Sequence, residues 1–346
     1  MPTERHIQRR TVLGGAVAAG AVAAAGPLPG ATGRPAAAAD RQEGAEEPGR
    51  GDRKVALITG TSSGFGHLTA LTLAREGLAV FASMRDTRGA NAAAARKLRT
   101  LAAEEDLALQ VVDIDVRDDD SVARGVERVL GRAGRVDVLV NNAGVFYPAI
   151  LETLSVDDVR AVFETNVFGH LRMNRAVLPA MRARGEGLVV QTTTALGRFV
   201  FPFMGAYVGT KWAMEAMAEA SRYELRRLGV DVVIVEPGAY DTDFVAPNAV
   251  RYYDRYLRGL DRDAARRRAA YGDLARRTED HLVEEPGLPD PQEVADAIAG
   301  LVRTPSAERP VRLPVAGAAE FLGEVHTVHA EFQRAVLEGS GYGDLL

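Results

Sequence analysis

The chain predicts a doubly wound α/β domain: a parallel sheet of about seven strands, flanked by helices, in a single domain. Three observations carry that expectation. From residue 54 onward, short β-branched runs alternate with longer segments of helical period. The short runs are apolar almost throughout, as in strands covered on both faces. A glycine-punctuated turn separates the first run from the first helix.

The elements follow in order. KVALIT (54–59) is the first strand, and about 64–76 the first helix. LAVFAS (78–83) and LALQVVDID (107–115) are the second and third strands, with helices at about 89–105 and 121–132. VDVLVNN (136–142) is the fourth, and a long helical pattern fills about 155–183. GLVVQTTT (187–194) is the fifth, a helix covers about 205–228, and VDVVIVEPG (230–238) is the sixth. After Gly238 the rhythm breaks into an Arg- and Tyr-rich insertion of helical character at about 243–285. A capped helix (289–303), a final strand (309–315) and a terminal helix (318–338) complete the domain, which runs from 53 to 346.

Composition narrows the function classes. A chain of 346 residues buries a sizeable core. A net charge of −5 with both signs interspersed gives no reason to expect nucleic acid as a partner. With no cysteine, disulfides, thiolate catalysis and Cys-ligated zinc are excluded. The N-terminus reads differently: Arg9 and Arg10 precede an apolar run from Val12 to Ala25. That run is shorter than the ~20 residues a membrane-spanning helix needs. Basic start, apolar middle and small-residue end make 1–39 an expected export signal resembling the twin-arginine class, cleaved after Ala39. Its destination would be the periplasm or the extracellular space; a disordered Ala-rich extension of a cytoplasmic protein is the alternative. Residues 40–52 read as a linker.

Chemistry enters at TGTSSGFG (59–66), where Gly60, Gly64 and Gly66 permit a tight turn and close backbone approach to a pyrophosphate. A turn with no ligand would look similar, so its place after a strand and before a helix matters. YVGTK (207–211) sets Tyr207 and Lys211 four residues apart, on one helical face. A neighbouring ammonium is expected to lower the phenol from its usual ~10 toward the working range.

Together these segments resemble the short-chain dehydrogenase/reductase family, in its shorter single-domain branch. The resemblance implies a carbonyl–alcohol oxidoreductase using hydride transfer with NAD(P). Tyr207 would be the general acid/base, and Lys211 its partner and a ligand of the nicotinamide ribose. Thr194 would stand thirteen residues before the tyrosine, where the family usually has serine, and Asn166 would hold a relay water from an altered helix backbone. The cofactor would be held by Gly60, Ser62, Ser63, Gly64, Phe65 and Gly66 of the turn, and by Asp115 and Val116 at the third strand. It would also meet Asn142, Ala143 and Gly144 of NNAG, and Pro237, Gly238 and Thr242 of PGAYDT. Longer-branch epimerases carry a different glycine spacing. A non-catalytic dinucleotide sensor on the same fold is the alternative function.

The second strand is followed by Met84 and Arg85, not by an acid that would repel a 2′-phosphate. A guanidinium there favours NADP(H) over NAD(H). Phe199, Phe201, Phe203 and Met204 suggest an apolar carbonyl or alcohol substrate, with core packing equally open. The arginines of the insertion (Arg262, Arg266, Arg267, Arg268, Arg276 and Arg277) read as a solvated face. His326 and His329 lack a partner at ligand spacing, so no metal is expected. The resemblance implies a homodimer or homotetramer through helices 155–183 and 205–228, and no stable membrane span is expected.

Overall fold

The computed structural model describes residues 53–243, 248–280 and 288–346. The expected export signal and linker lie outside the described residues, as does part of the 243–285 segment. Seven strands form one sheet: β1 (Val55–Thr59), β2 (Ala79–Met84), β3 (Leu109–Asp113), β4 (Val138–Asn141), β5 (Gly187–Thr192), β6 (Val230–Pro237) and β7 (Arg312–Val315). All pairings are parallel, in the order β3-β2-β1-β4-β5-β6-β7. The winding reverses between β1 and β4, so a crevice opens beyond the carboxyl ends of those two strands.

The period-2 geometry of a strand sends alternate residues to opposite faces. Ala56 and Ile58 of β1 join a core with α1 (Gly64–Arg75) and α2 (Ala92–Glu104). Val55 and Leu57 join a second core with α3 (Asp119–Ala133). Because both faces are covered, the strands are apolar without alternation. Asp118 caps α3, accepting from Ser121 N at 2.6 Å, and left-handed Gly134 ends it. At the strand entrances, buried Asp137 accepts from Val55 N at 2.7 Å and pairs with Arg135 and Arg184, tying β4 to β1.

The long helix expected at 155–183 is interrupted. A capping box of Ser155 and Asp158 starts α4 (Val156–Phe163), a π-helical turn covers Glu164–Phe168, and α5 (Gly169–Arg184) follows. The widened turn surrounds Asn166. The fifth strand also ends sooner than expected, at Thr192 rather than 194. Thr193 turns its hydroxyl to Glu215, 3.0 Å away on α6 (Gly205–Arg226), instead of serving only as a strand former.

The insertion resolves into α7 (Asn248–Gly259), α8 (Arg262–Ala270) and α9 (Asp273–Asp280). Tyr253 and Tyr256 of α7 are buried with Phe146 and Tyr207, so this segment closes over the crevice wall. Its arginines are not purely solvated: Arg268 donates to the Tyr253 hydroxyl at 3.1 Å. α10 (Gln292–Arg303) packs on the first core, and α11 (Ala318–Gly339) follows β7. Among the described residues no helix is long and apolar enough to cross a membrane, and no cluster of His, Asp and Glu is placed to hold a metal ion.

Candidate active site

Beyond their ladder, the carboxyl ends of the first and fourth strands are joined by one hydroxyl. Thr59 Oγ1 accepts from the backbone amides of Asn142 at 2.9 Å and Ala143 at 3.0 Å. Asn142 returns the contact, its amide donating to Thr59 O at 2.9 Å and Gly60 O at 3.2 Å. Gly60 sits at φ 71°, and a Cβ there would lie 2.8 Å from Ala143 Cα. A Cβ on Gly66 would lie 2.4 Å from Gly60 O, so only glycine lets α1 start this close to the turn.

The start of α1 suits an anion. Ser63 at its N-cap makes no side-chain hydrogen bond to the helix, and the first turn carries no acid. Gly64 opens the helix at φ 57°, and its missing Cβ would point toward Thr242, 3.8 Å away. Ser62 lies between Gly60 and this cap. Phe65 packs edge-on against Tyr240 at 5.4 Å between ring centroids, and Tyr240 donates to Glu293 at 3.2 Å. The glycine turn, NNAG and PGAYDT are thus brought together. A dinucleotide pyrophosphate fits this cradle.

At the far end, Met84 is buried and Arg85 exposed. Arg85 lies close enough for its charge to help hold the Asp115 carboxyl below its usual range. The main cause of that shift is Arg117, which donates to both Asp115 oxygens, at 3.0 and 2.6 Å. The Asp115 carboxylate, expected to help hold the cofactor, is also engaged by this arginine. Val116 is buried, closely packed against Gly169.

Tyr207 lies in the first turn of α6 and is buried, its ring edge-on to Phe146 at 5.0 Å. Its hydroxyl is hydrogen-bonded to Thr194, which in turn donates to Pro237 O at 3.3 Å. Gly238 follows, at the entrance to α11 beside Ala318. Lys211, one turn along α6, donates to Thr192 O at 3.1 Å, and its ammonium stands over the Tyr207 ring, 5.6 Å from the centroid. Three of the four catalytic candidates, Thr194, Tyr207 and Lys211, therefore converge. Their electrostatics differ from the sequence expectation, because burial pushes the Tyr207 phenol above its ordinary value, against the opposing Thr194 hydrogen bond. Burial also draws Lys211 down to about 8, against the attraction of Glu215.

Asn166 is fully buried in the π turn. It accepts from Val145 N at 2.8 Å and donates to Val145 O and Thr210 Oγ1, each at 3.0 Å. Thr210 donates to Tyr207 O at 2.6 Å. The side chain of Asn166 thus joins the segment after NNAG to the helix under the tyrosine. Gly144 directly precedes Val145 in the chain.

Phe199 and Phe201 are each 37% exposed, Phe199 lies edge-on to Phe321 of α11 at 5.6 Å, and Met204 packs on the Phe146–Tyr207 cluster. Phe203 adopts φ 64°, costly for a bulky residue, while its carbonyl accepts from Ala149 N at 2.8 Å.

Sequence reasoning missed His170, on the apolar face of α5 with Met173 and Val177. Its Nε2 lies 2.8 Å from Ala143 O and its Nδ1 3.0 Å from Gln191 Oε1. Burial draws its pKa to about 4. It missed Glu215 and Glu236 as well, both buried behind Lys211.

These burials predict two pH dependences. His170 falls from 6.5 to about 4 on folding, so below pH 6.5 the unfolded chain takes a proton that the folded chain refuses. The His170 contribution is unchanging above pH 6.5, and stability declines from there toward pH 4, by about 3 kcal/mol in all. In urea titrations, His170→Asn should flatten this acid limb; an unchanged limb contradicts the assignment. Lys211 moves from 10.5 to about 8, so stability rises as pH climbs between those values. Lys211→Met should be more stable at pH 7, by roughly 1–3 kcal/mol, and should lack the alkaline rise. A destabilised variant would contradict that.

Comparison with known proteins agrees with this geometry. The family profile described as short chain dehydrogenase matches residues 54–251. The uncharacterized oxidoreductase YusZ of Bacillus subtilis (strain 168) is 35% identical over 193 residues, 55% of this chain and 66% of that protein. Retinol dehydrogenase 8 of Bos taurus is 34% identical over 263 residues, 75% of this chain and 80% of that one. The match with YusZ thus spans just under two thirds of that relative's length. The solved alcohol dehydrogenase of the archaeon Thermococcus sibiricus, complexed with 5-hydroxy-NADP, has a TM-score of 0.60 at 28% identity, covering 77% of this chain and 98% of that one. The chain belongs to the short-chain dehydrogenase family.

Proposed function

We propose that this protein interconverts an apolar carbonyl compound and its secondary alcohol, with NADP(H) as hydride carrier. The convergence of Tyr207, Lys211 and Thr194 beside the Pro237 carbonyl carries the reading. When bound, NADP(H) supplies or accepts the hydride. The turn from Gly60 to Gly66 and the start of α1 would hold its pyrophosphate, and Arg85 its 2′-phosphate. Asn142 to Gly144 and Lys211 would line the nicotinamide riboside, and Thr242 its carboxamide. The NADP-type ligand of the solved alcohol dehydrogenase supports this choice of nucleotide.

Thr194 would hold the carbonyl oxygen and Tyr207 would deliver the proton to the nascent alkoxide. A phenol raised by burial keeps its proton at neutral pH, the form that donates to a nascent alkoxide. Phe146, Tyr253 and Tyr256 make the neighbouring wall apolar, and the name of the bovine relative, a retinol dehydrogenase, points the same way. The exposed Phe168, Leu171, Trp212 and Met217 on and beside α5 and α6 support a homo-oligomer through those helices.

The test is turnover of NADPH with retinal as an apolar carbonyl probe. Tyr207→Phe should lower kcat by ~10²- to 10⁴-fold while leaving NADPH affinity unchanged. Thr194→Ser should retain activity, and Thr194→Ala should lose most of it. Full activity in Tyr207→Phe would remove the assignment.

A further inference from the structure

The turn after β2 faces a conflict of charge. Arg85, the cation offered to a 2′-phosphate, is followed at once by Asp86, while Asp113 and Asp115 stand at the end of neighbouring β3. A carboxylate turned toward that phosphate would repel it and cancel the attraction of the guanidinium. Each of the three acids is engaged elsewhere.

Asp86 is turned aside. Its φ of 51° is the left-handed conformation, which aspartate and asparagine adopt more readily than most residues. From there its Oδ2 accepts from Ala90 N at 2.7 Å, and its carbonyl accepts from Gly89 N at 3.2 Å and Asn91 N at 3.1 Å. The fold-back needs a glycine at 89, where a Cβ would lie 2.5 Å from both Asp86 carboxylate oxygens. Asn91 closes the turn, its side-chain amide donating to Arg85 O at 2.7 Å.

Asp113 ties this turn to the sheet. It pairs across from Met84, the last residue of β2, so its carboxylate reaches the next two peptide groups. Oδ1 accepts from Asp86 N at 3.0 Å. Oδ2 accepts from Thr87 N at 2.9 Å and from the Thr87 hydroxyl at 2.7 Å. Thr87 is only 8% exposed, which shields this link from water. Against the effect of partial burial, these donors hold the Asp113 carboxyl below its usual range. Asp115 is covered in turn by Arg117, which donates to both its oxygens. Arg85 itself is exposed.

We propose that Asp113 is a positioning residue for cofactor choice. By gripping the amides of Asp86 and Thr87, it keeps the Asp86 carboxylate folded onto Ala90 and leaves the Arg85 guanidinium to meet the 2′-phosphate. Asp113 acts through these two neighbours. The turn is set before any nucleotide arrives, so NADPH meets a cation without first displacing an acid. The proposal rests on the reading of Arg85 as the ligand of the 2′-phosphate.

Calorimetric titration of the full chain with NADPH and with NADH tests it. Asp113→Ala should lose roughly tenfold in NADPH affinity and less than about twofold in NADH affinity, the second nucleotide reporting an intact crevice. Full retention of NADPH affinity, or an equal loss for both nucleotides, overturns the proposal. Asp113→Asn, which keeps one of the two acceptor oxygens, decides in the same way if the alanine variant does not fold. Asp86→Asn keeps the left-handed turn and an acceptor for Ala90, so alone it should leave NADPH affinity within about twofold. In the Asp113→Ala background it should recover roughly threefold or more, because the loosened side chain no longer repels the phosphate. No recovery there, or a large gain from Asp86→Asn alone, overturns the proposal.

Two further arms separate the readings. Unchanged NADPH affinity in Arg85→Ala removes Arg85 as the phosphate ligand, and the proposal with it. A loss in Arg85→Ala beside an unaffected Asp113→Ala overturns the proposal alone. Without nucleotide, hydrogen exchange at the amides of Asp86, Thr87 and Ala90 should be faster in Asp113→Ala than in the wild type. Equal rates in the two proteins overturn the grip.

Discussion

Two backbone amides, those of Asn142 and Ala143, converge on the hydroxyl of Thr59, and the geometry of the site depends on that junction. It locks the carboxyl end of β4 against the end of β1, where the sheet changes its direction of winding. With the ends fixed, the glycine turn has one course available, and α1 begins facing the crevice. Ala143 O then meets His170, and the chain continues to Val145, which Asn166 grips from the π turn. Through Thr210 the same thread reaches the backbone of Tyr207. The glycine turn and the helix that carries Tyr207 are parts of one hydrogen-bonded unit.

That unit sits in an interior rich in ionisable groups. Tyr207, Lys211, His170, Glu215 and Glu236 are all buried, each at the cost of displaced proton affinity. A core of leucines would be more stable at these positions. These groups gather at the carboxyl ends of β4, β5 and β6. The opposite edge holds the structural ion pairs of Asp137 instead, which close strand entrances and touch no crevice. Stability and chemistry are divided between the two ends of the sheet.

Much of this was legible in the residues. Apolar runs such as VALIT and VVIVEP announce strands covered on both faces, and their register needs no long-range information. Gly60, Gly64 and Gly66 mark a turn that no other residue type can make, and Tyr207 and Lys211 share a helical face by spacing alone. What could not be read depends on contacts between distant segments. Glu215 looks like a solvated acid until β7 brings Arg312 to it across 97 positions. His170 reads as one more residue on the buried stripe of α5, because Gln191 arrives from β5 and Ala143 from the loop after β4. The π turn at Asn166 has no compositional mark, so the helix reads as continuous. The lysine's effect on the phenol was misjudged because spacing says nothing of how deeply both groups are buried.

The central claim is that the junction of β1 and β4 frames a nucleotide site with a cation at the 2′ position. Calorimetric titration of the purified protein, first with NADPH and then with NADH, tests it most directly. Saturable NADPH binding, at least about tenfold tighter than NADH, is the result this account predicts. If NADH binds as tightly, Arg85 does not select the cofactor. If neither nucleotide binds to protein shown to retain none from its preparation, the cradle is not a nucleotide site, and the roles given to Tyr207 and Lys211 go with it.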